Sequence, residues 1–176
     1  MERPLQRKTV LWMVPFLFLL HNGEEALTMA STLEEVRSGM PRFLRVFLPP
    51  VTEEQFLVSL VLLTVLVFLC AWFGNIGRDR SWGVYALVGL QMVLLLNVLA
   101  HVTTLAVVGR YTAGSVTSLL VNLPFSVYLI RRAFHEGWVA RRSLLVMIPL
   151  AFVIHTPILF GFLYFSGFVA RLLFAT

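Results

Sequence analysis

Long apolar blocks separated by short polar segments run through the whole chain. The apolar positions neither alternate as in a half-buried strand nor recur at heptad spacing. A helix of about 20 apolar residues spans the roughly 30 Å hydrocarbon core of a bilayer, at about 1.5 Å per residue. The pattern therefore predicts one all-α domain over residues 1–176, a multi-pass transmembrane helix bundle. Its predicted spans, about five, lie near residues 9–29, 56–74, 82–108, 115–130 and 143–168.

Capping residues mark the beginnings of several predicted helices. Thr52 opens a capping box ahead of the second span, and Ser81 and Ser143 are candidate caps for the third and fifth. The only long connection, residues 31–51, begins with a further helix-start pattern at Ser31 and continues with arginines among bulky apolar residues. We expect this connection to lie along the membrane surface.

Composition and charge agree with a membrane protein. Of the 176 residues, 59% are hydrophobic and 13% are charged, whereas soluble domains carry about 25% charged residues. The 14 Lys and Arg residues lie between the apolar blocks, so we expect them to set topology and not to bind nucleic acid. With five spans, nine of them fall on the side of the N-terminus and five on the other. The positive-inside rule then predicts a bacterial cytoplasmic membrane protein with a cytoplasmic N-terminus.

The first apolar block also resembles a secretory signal peptide, because Arg7 and Lys8 precede it and small residues follow near Ala30. The stretch between the block and such a cleavage site is too long and too acidic for a signal peptide. We therefore expect the block to remain as the first span. Cys70 is the single cysteine, which excludes a disulfide framework and a cysteine-based zinc site.

Ionisable side chains inside the predicted spans are the candidate functional residues, because each costs about 2.5–3.5 kcal/mol to insert at membrane depth. They are His21, Glu24, Glu25, His101 and His155. Helical spacing places both glutamates on the His21 face of the first span, and Asn97 lies one turn before His101. At about 1.5 Å per residue, these groups and Asn122 lie about 18–28 Å above the cytoplasmic surface. We therefore expect them to meet around one interior cavity in the outer half of the bilayer.

Imidazole nitrogens and carboxylate oxygens suit a divalent metal, zinc or iron. The predicted metal ligands are His21, Glu24, Glu25 and His101, with His155 as an additional one. We expect Asn97 to contribute to the same site by orienting His101 or a bound water. The alternatives are a metal-free acid–base site, in which one glutamate stays protonated and acts as the acid, and a purely structural His/Glu network.

The expected function is an intramembrane enzyme whose apolar or lipid-like small-molecule substrate enters from the membrane lipids. Arg110, Tyr111 and Asn122 are the candidate substrate-binding residues. Arg110 and Tyr111 also suit a snorkelling and aromatic anchor at the membrane interface. A small transporter or proton-relay protein using the same carboxylates is the alternative function. A helix-packing scaffold without chemistry is the third.

Three motifs resemble one known family. The segment His21–Glu25, with the sequence HNGEE, resembles the motif that names the HXXEE family of predicted integral membrane proteins. Asn97 and His101 match its Asn-x-x-x-His motif, and the stretch 110–117 with Pro124 is similar to a third, in which Ala113 stands where the family often has proline. The resemblance covers His21 to Pro124. It implies a site made of these His, Glu and Asn residues without naming a reaction.

Overall fold

A computed structural model of the chain describes residues 5–39, 51–76, 81–155 and 159–174. These residues form helices, turns and connecting segments without any strand, which confirms the all-α prediction for the described part of the chain. The helices are α1 (Arg7–Gly39), α2 (Glu53–Ile76), α3 (Trp82–Val108), α4 (Ser115–Thr117), α5 (Leu123–His135), α6 (Leu144–Val153) and α7 (Leu159–Phe174). A π-helical turn, Ser118–Asn122, joins α4 to α5, and a 3-10 turn, Arg141–Ser143, precedes α6.

Two described helices, α2 and α3, are long and apolar enough to cross a membrane. They have 24 and 27 residues respectively, and both match predicted spans. The N-terminal caps are confirmed for both. The Thr52 hydroxyl accepts a hydrogen bond from the Gln55 N–H at 3.2 Å, and the Ser81 hydroxyl accepts one from the Val84 N–H. The arrangement with five spans stays a prediction.

Helix α1 is longer than the sequence pattern predicts. It continues ten residues beyond Met29 to Gly39, so the helix start predicted at Ser31 is wrong. The hydroxyl groups of Ser31 and Thr32 donate to the carbonyl of Thr28 in the preceding turn, and do not cap a new helix. No glycine or proline lies between residues 24 and 38 to stop the helix. The rest of the predicted surface segment, residues 40–50, lies outside the described residues.

The fourth predicted segment is also longer in the structure, because helical backbone continues from Ser115 to His135. Pro124 lies in the first turn of α5, where its missing N–H cannot continue a regular α-helical ladder. The π-helical turn before Pro124 absorbs this interruption. As a result, α5 extends beyond residue 130, the predicted end.

The fifth predicted segment contains two helices that contact different parts of the bundle. Helix α6 packs against α3, whereas α7 packs against α2. Pro157, where we expect a proline kink in a helix, lies outside the described residues. Ser143 does not cap α6, because its hydroxyl donates to the carbonyl of Ala140.

Buried amides connect neighbouring helices around the apolar core. The Asn22 side chain on α1 donates to the Leu60 carbonyl at 3.2 Å and to the Thr64 hydroxyl at 2.7 Å, which joins α1 to α2. The Gln91 side chain on α3 donates to the hydroxyl of Ser126 on α5 at 2.7 Å. These bonds fix the rotation of α1 and α3, the two helices that carry the predicted site residues.

Candidate metal centre

Helices α1 and α3 bring three ionisable side chains together. His21, Glu25 and His101 each offer one potential ligand atom, and these atoms lie within 4.8 Å of one another. Glu25 Oε1 lies 3.3 Å from His101 Nε2 and 3.7 Å from His21 Nε2. His21 and Glu25 share a face of α1 because they are four residues apart. We call these three residues the triad.

The orientation of the His21 ring is fixed from both sides. Its Nδ1 lies 2.8 Å from the hydroxyl oxygen of Thr117, and its Nε2 lies 3.2 Å from the amide nitrogen of Asn97. An amide nitrogen can only donate, so Nε2 accepts and Nδ1–H donates to Thr117. The single lone pair of Nε2 therefore accepts from Asn97, and a metal bound to Nε2 would take the place of this hydrogen bond.

Asn97 contacts a different histidine from the one predicted. Its amide bonds to His21 and not to His101, because it lies one turn before His101 on α3, opposite His21. Thr117, which completes the support of His21, was not singled out by the sequence analysis. The only sequence signal for Thr117 was its place in the third motif.

The predicted role of Glu24 as a ligand does not agree with its position. Its Oε1 accepts hydrogen bonds from the Val116 N–H at 3.1 Å and the Tyr111 hydroxyl at 2.7 Å, and its Oε2 accepts one from the Thr117 N–H at 2.7 Å. Burial raises the pKa of Tyr111 above its ordinary value, so at neutral pH the phenol keeps the proton that it donates. Glu24 and Glu25 are consecutive on a helix and point in different directions. Glu24 therefore holds the turn at the start of α4, while Glu25 belongs to the triad.

Gly114 closes the triad from the side of this turn. Its φ is +77°, and a Cβ atom there would lie 2.8 Å from Cε1 of both His21 and His101 and 2.9 Å from Cγ of Glu25. Gly114 lies in the stretch 110–117 that resembles the third family motif, but the sequence did not reveal this contact. A glycine is required both for the backbone conformation and for the close approach.

A cavity of about 350 Å³ opens beside the triad. Its polar wall includes Glu25, Asn97, His101 and His155, whereas His21 is fully buried behind this wall. Most of the remaining lining is apolar and comes from α2 and α3, for example Leu63, Leu66, Val67, Leu90, Val93 and Leu94. An apolar molecule held in the cavity would therefore lie against Glu25 and His101.

Other predicted site residues lie apart from the triad. His155 lines the cavity but is not in the group of ligand atoms. Asn122 is buried in the π-helical turn and lines neither the cavity nor the triad. Arg110 is exposed beyond the end of α3, and the Tyr111 hydroxyl donates to Glu24 and not to a triad residue.

Comparisons with known proteins place the site in a family. A family model described as "Protein of unknown function with HXXEE motif" matches residues 12–129. The "Uncharacterized protein YrkK" of Bacillus subtilis (strain 168) is 23% identical over 132 residues, which cover 74% of this chain and 78% of the relative. No solved structure gives a significant match. The family match covers more than half of the chain and includes the whole triad, so the chain belongs to the HXXEE family.

Proposed function

We propose that this protein is a metal-dependent membrane enzyme that acts on an apolar, lipid-like substrate. His21, Glu25 and His101 are the proposed ligands of a divalent zinc or iron ion. The observation that carries the proposal is the position of the triad, since Glu25 and His101 line a cavity whose other walls are largely apolar.

The donor set supports a catalytic metal. Two imidazoles and one carboxylate are ligands of both catalytic zinc and non-haem iron, and three protein ligands leave coordination positions open to substrate or water. The triad would hold the ion, which would supply Lewis-acid chemistry toward a substrate oxygen or a water. The Thr117 contact supports the same role, because a hydrogen bond from the Nδ1–H of a metal-binding histidine fixes its tautomer and leaves Nε2 as the ligand atom.

The outer surface of the bundle supports the membrane part of the proposal. Large apolar side chains are exposed along α2 and α6, including Val61, Trp72, Leu145 and Val146, with exposed fractions between 57% and 82%. Extensive exposure of large apolar side chains is unfavourable in water and favourable in lipid. We propose that α1, α2, α3, the helical run 115–135 and the pair α6–α7 form five spans, with the N-terminus in the cytoplasm.

A metal-free acid–base enzyme is the second candidate function. It is favoured by the position of the Glu25 carboxylate between two imidazoles, where a proton can pass from one group to another. Both candidates place the chemistry at the same residues. The metal content of the protein separates them.

The first experiment measures metal in protein purified in lipid nanodiscs, using the adjacent substitutions Glu24→Gln and Glu25→Gln as a matched pair. We expect about one zinc or iron per wild-type chain, a loss of metal in Glu25→Gln and in His21→Ala, and retention in Glu24→Gln. Both glutamine variants remove one negative charge from α1, so the pair tests position and not charge. Equal metal content in wild type, His21→Ala and Glu25→Gln would refute the metal site.

The second experiment compares the lipid extracts of cells that lack the protein with those of cells expressing wild type or Glu25→Gln. We expect a lipid-like compound to accumulate without the protein, to fall when wild type is supplied, and to stay high with Glu25→Gln. Identical profiles in all three strains would contradict the proposed enzyme.

A further inference from the structure

The cavity changes from polar to apolar along its length. On α3 its lining runs from His101 and Asn97 to Leu94 and Leu90, about 16 Å along the helix axis at about 1.5 Å per residue. The apolar part also includes Leu66 from α2. A molecule that fills this cavity needs a polar head at the triad and an apolar body pointing away from it.

His155 supplies a polar atom without a partner on this wall. The residue lies two positions beyond the end of α6 and lines the same cavity as His101. Its Nε2 is buried and makes no hydrogen bond within the described part of the chain. A buried polar atom without a partner is unfavourable, and a ligand that bonds to it removes that cost.

We propose that His155 Nε2 binds the head group of the substrate, and that the substrate is an uncharged single-chain amphiphile such as an alcohol, ketone or ester. This inference rests on the proposed function and specifies its substrate class. Among the described lining residues, Glu25 carries the only formal charge at neutral pH with neutral histidines, and it is negative. Proteins usually hold phosphoryl groups with arginine or lysine side chains, and neither residue type lies in the described lining.

The size of the cavity supports a single chain. Ligand pockets occupy about 300–1,000 Å³, so a volume of about 350 Å³ is near the lower limit. A narrow apolar body fits this space, whereas a phospholipid with two chains and a phosphate head does not. The cavity therefore selects against the bulk lipids of the membrane that surrounds it.

The test uses metal-loaded protein in nanodiscs and 1-hexadecanol carrying a photoreactive diazirine in its chain. We expect labelling of peptides that contain residues 63–67 and 90–94, and competition by unlabelled hexadecanol but not by hexadecyl phosphate. His155→Phe should lower labelling about tenfold, which corresponds to one hydrogen bond of about 1.4 kcal/mol. The control His135→Phe changes an exposed histidine outside the cavity and should leave labelling unchanged.

Two results would overturn the inference: labelling that is the same in His155→Phe and wild type, or competition by hexadecyl phosphate equal to that by hexadecanol. His155→Gln is the control for misfolding. Its amide keeps a hydrogen-bonding group at this position, so it should recover part of the labelling that His155→Phe loses. Metal content is measured on the same samples. Metal binding without His155-dependent labelling refutes this inference alone. His155-dependent labelling of wild-type protein that takes up no metal when metal is supplied refutes the metal centre alone.

Discussion

The substitution Gly114→Ala tests whether the turn before α4 is in contact with the triad. A Cβ atom at this position would lie within 2.9 Å of all three triad residues. These side chains cannot easily move away, because His21 is bonded to Thr117 and Asn97. We therefore expect the alanine to push the histidines and Glu25 apart as well as to strain the backbone.

The expected cost has two parts, which a second glycine separates. An L-residue at a left-handed backbone position costs about 1–2 kcal/mol, and a methyl group forced into a packed site costs about 1–3 kcal/mol. Gly109 has a φ of +73° but no atom within 4 Å of the corresponding Cβ. Gly109→Ala should therefore show the backbone cost alone, and Gly114→Ala should be about 1–3 kcal/mol less stable than Gly109→Ala.

The assay is equilibrium unfolding of wild type and both variants in the same detergent, together with metal titration. We expect Gly114→Ala to weaken metal binding at least tenfold, as loss of the groups that position metal ligands commonly does, and Gly109→Ala to bind metal like wild type. Equal stability and equal metal affinity in the two alanine variants would refute the contact between Gly114 and the triad.

Three further substitutions follow from the contacts of α1. Glu24→Ala removes the acceptor for two backbone N–H groups of α4, so we expect the unfolding free energy to fall by about 0.5–2 kcal/mol. The variant should still bind one metal per chain, at lower affinity. Loss of all metal would assign Glu24 to the ligands. Asn22→Leu removes the bonds to Leu60 and Thr64 and should destabilise the protein by about 1–3 kcal/mol, so unchanged unfolding would contradict the role of Asn22. Gly23→Ala meets no neighbouring atom and should stabilise α1 by about 0.5–1 kcal/mol in the same assay; destabilisation would mean that this face is contacted.

The sequence contained enough information to select the candidate residues of the triad, but not to decide which of the two glutamates belongs to it. His21 and Glu25 are one helical turn apart, so their shared face follows from helix geometry alone. Whether Glu24 or Glu25 faces His101 depends on the rotation of α1, which the tertiary bonds of Asn22 help to set. No local pattern around residues 21–25 reports that rotation.

The ends of the helices also show which features follow from local sequence and which depend on tertiary contacts. The starts of α2 and α3 were predictable, because Thr52 and Ser81 cap them through local bonds. The hydroxyl groups near Ser31 have an equally good capping pattern, yet they bond within α1. Ser and Thr side chains bond either to a following N–H or to a preceding carbonyl, and the residue types alone do not decide between the two.

The hydrogen bond between His21 and Thr117 joins residues that are 96 positions apart, which has a consequence for biosynthesis. At about 5–20 residues per second, the ribosome makes Thr117 about 5–20 s after His21. If α1 enters the bilayer as it is synthesised, its imidazole and carboxylate groups lie in the membrane for that time without their hydrogen-bonding partners on the later helices. We therefore expect efficient insertion of α1 to depend on the arrival of the later helices, so that nascent chains truncated before α4 are retained at the translocon or degraded.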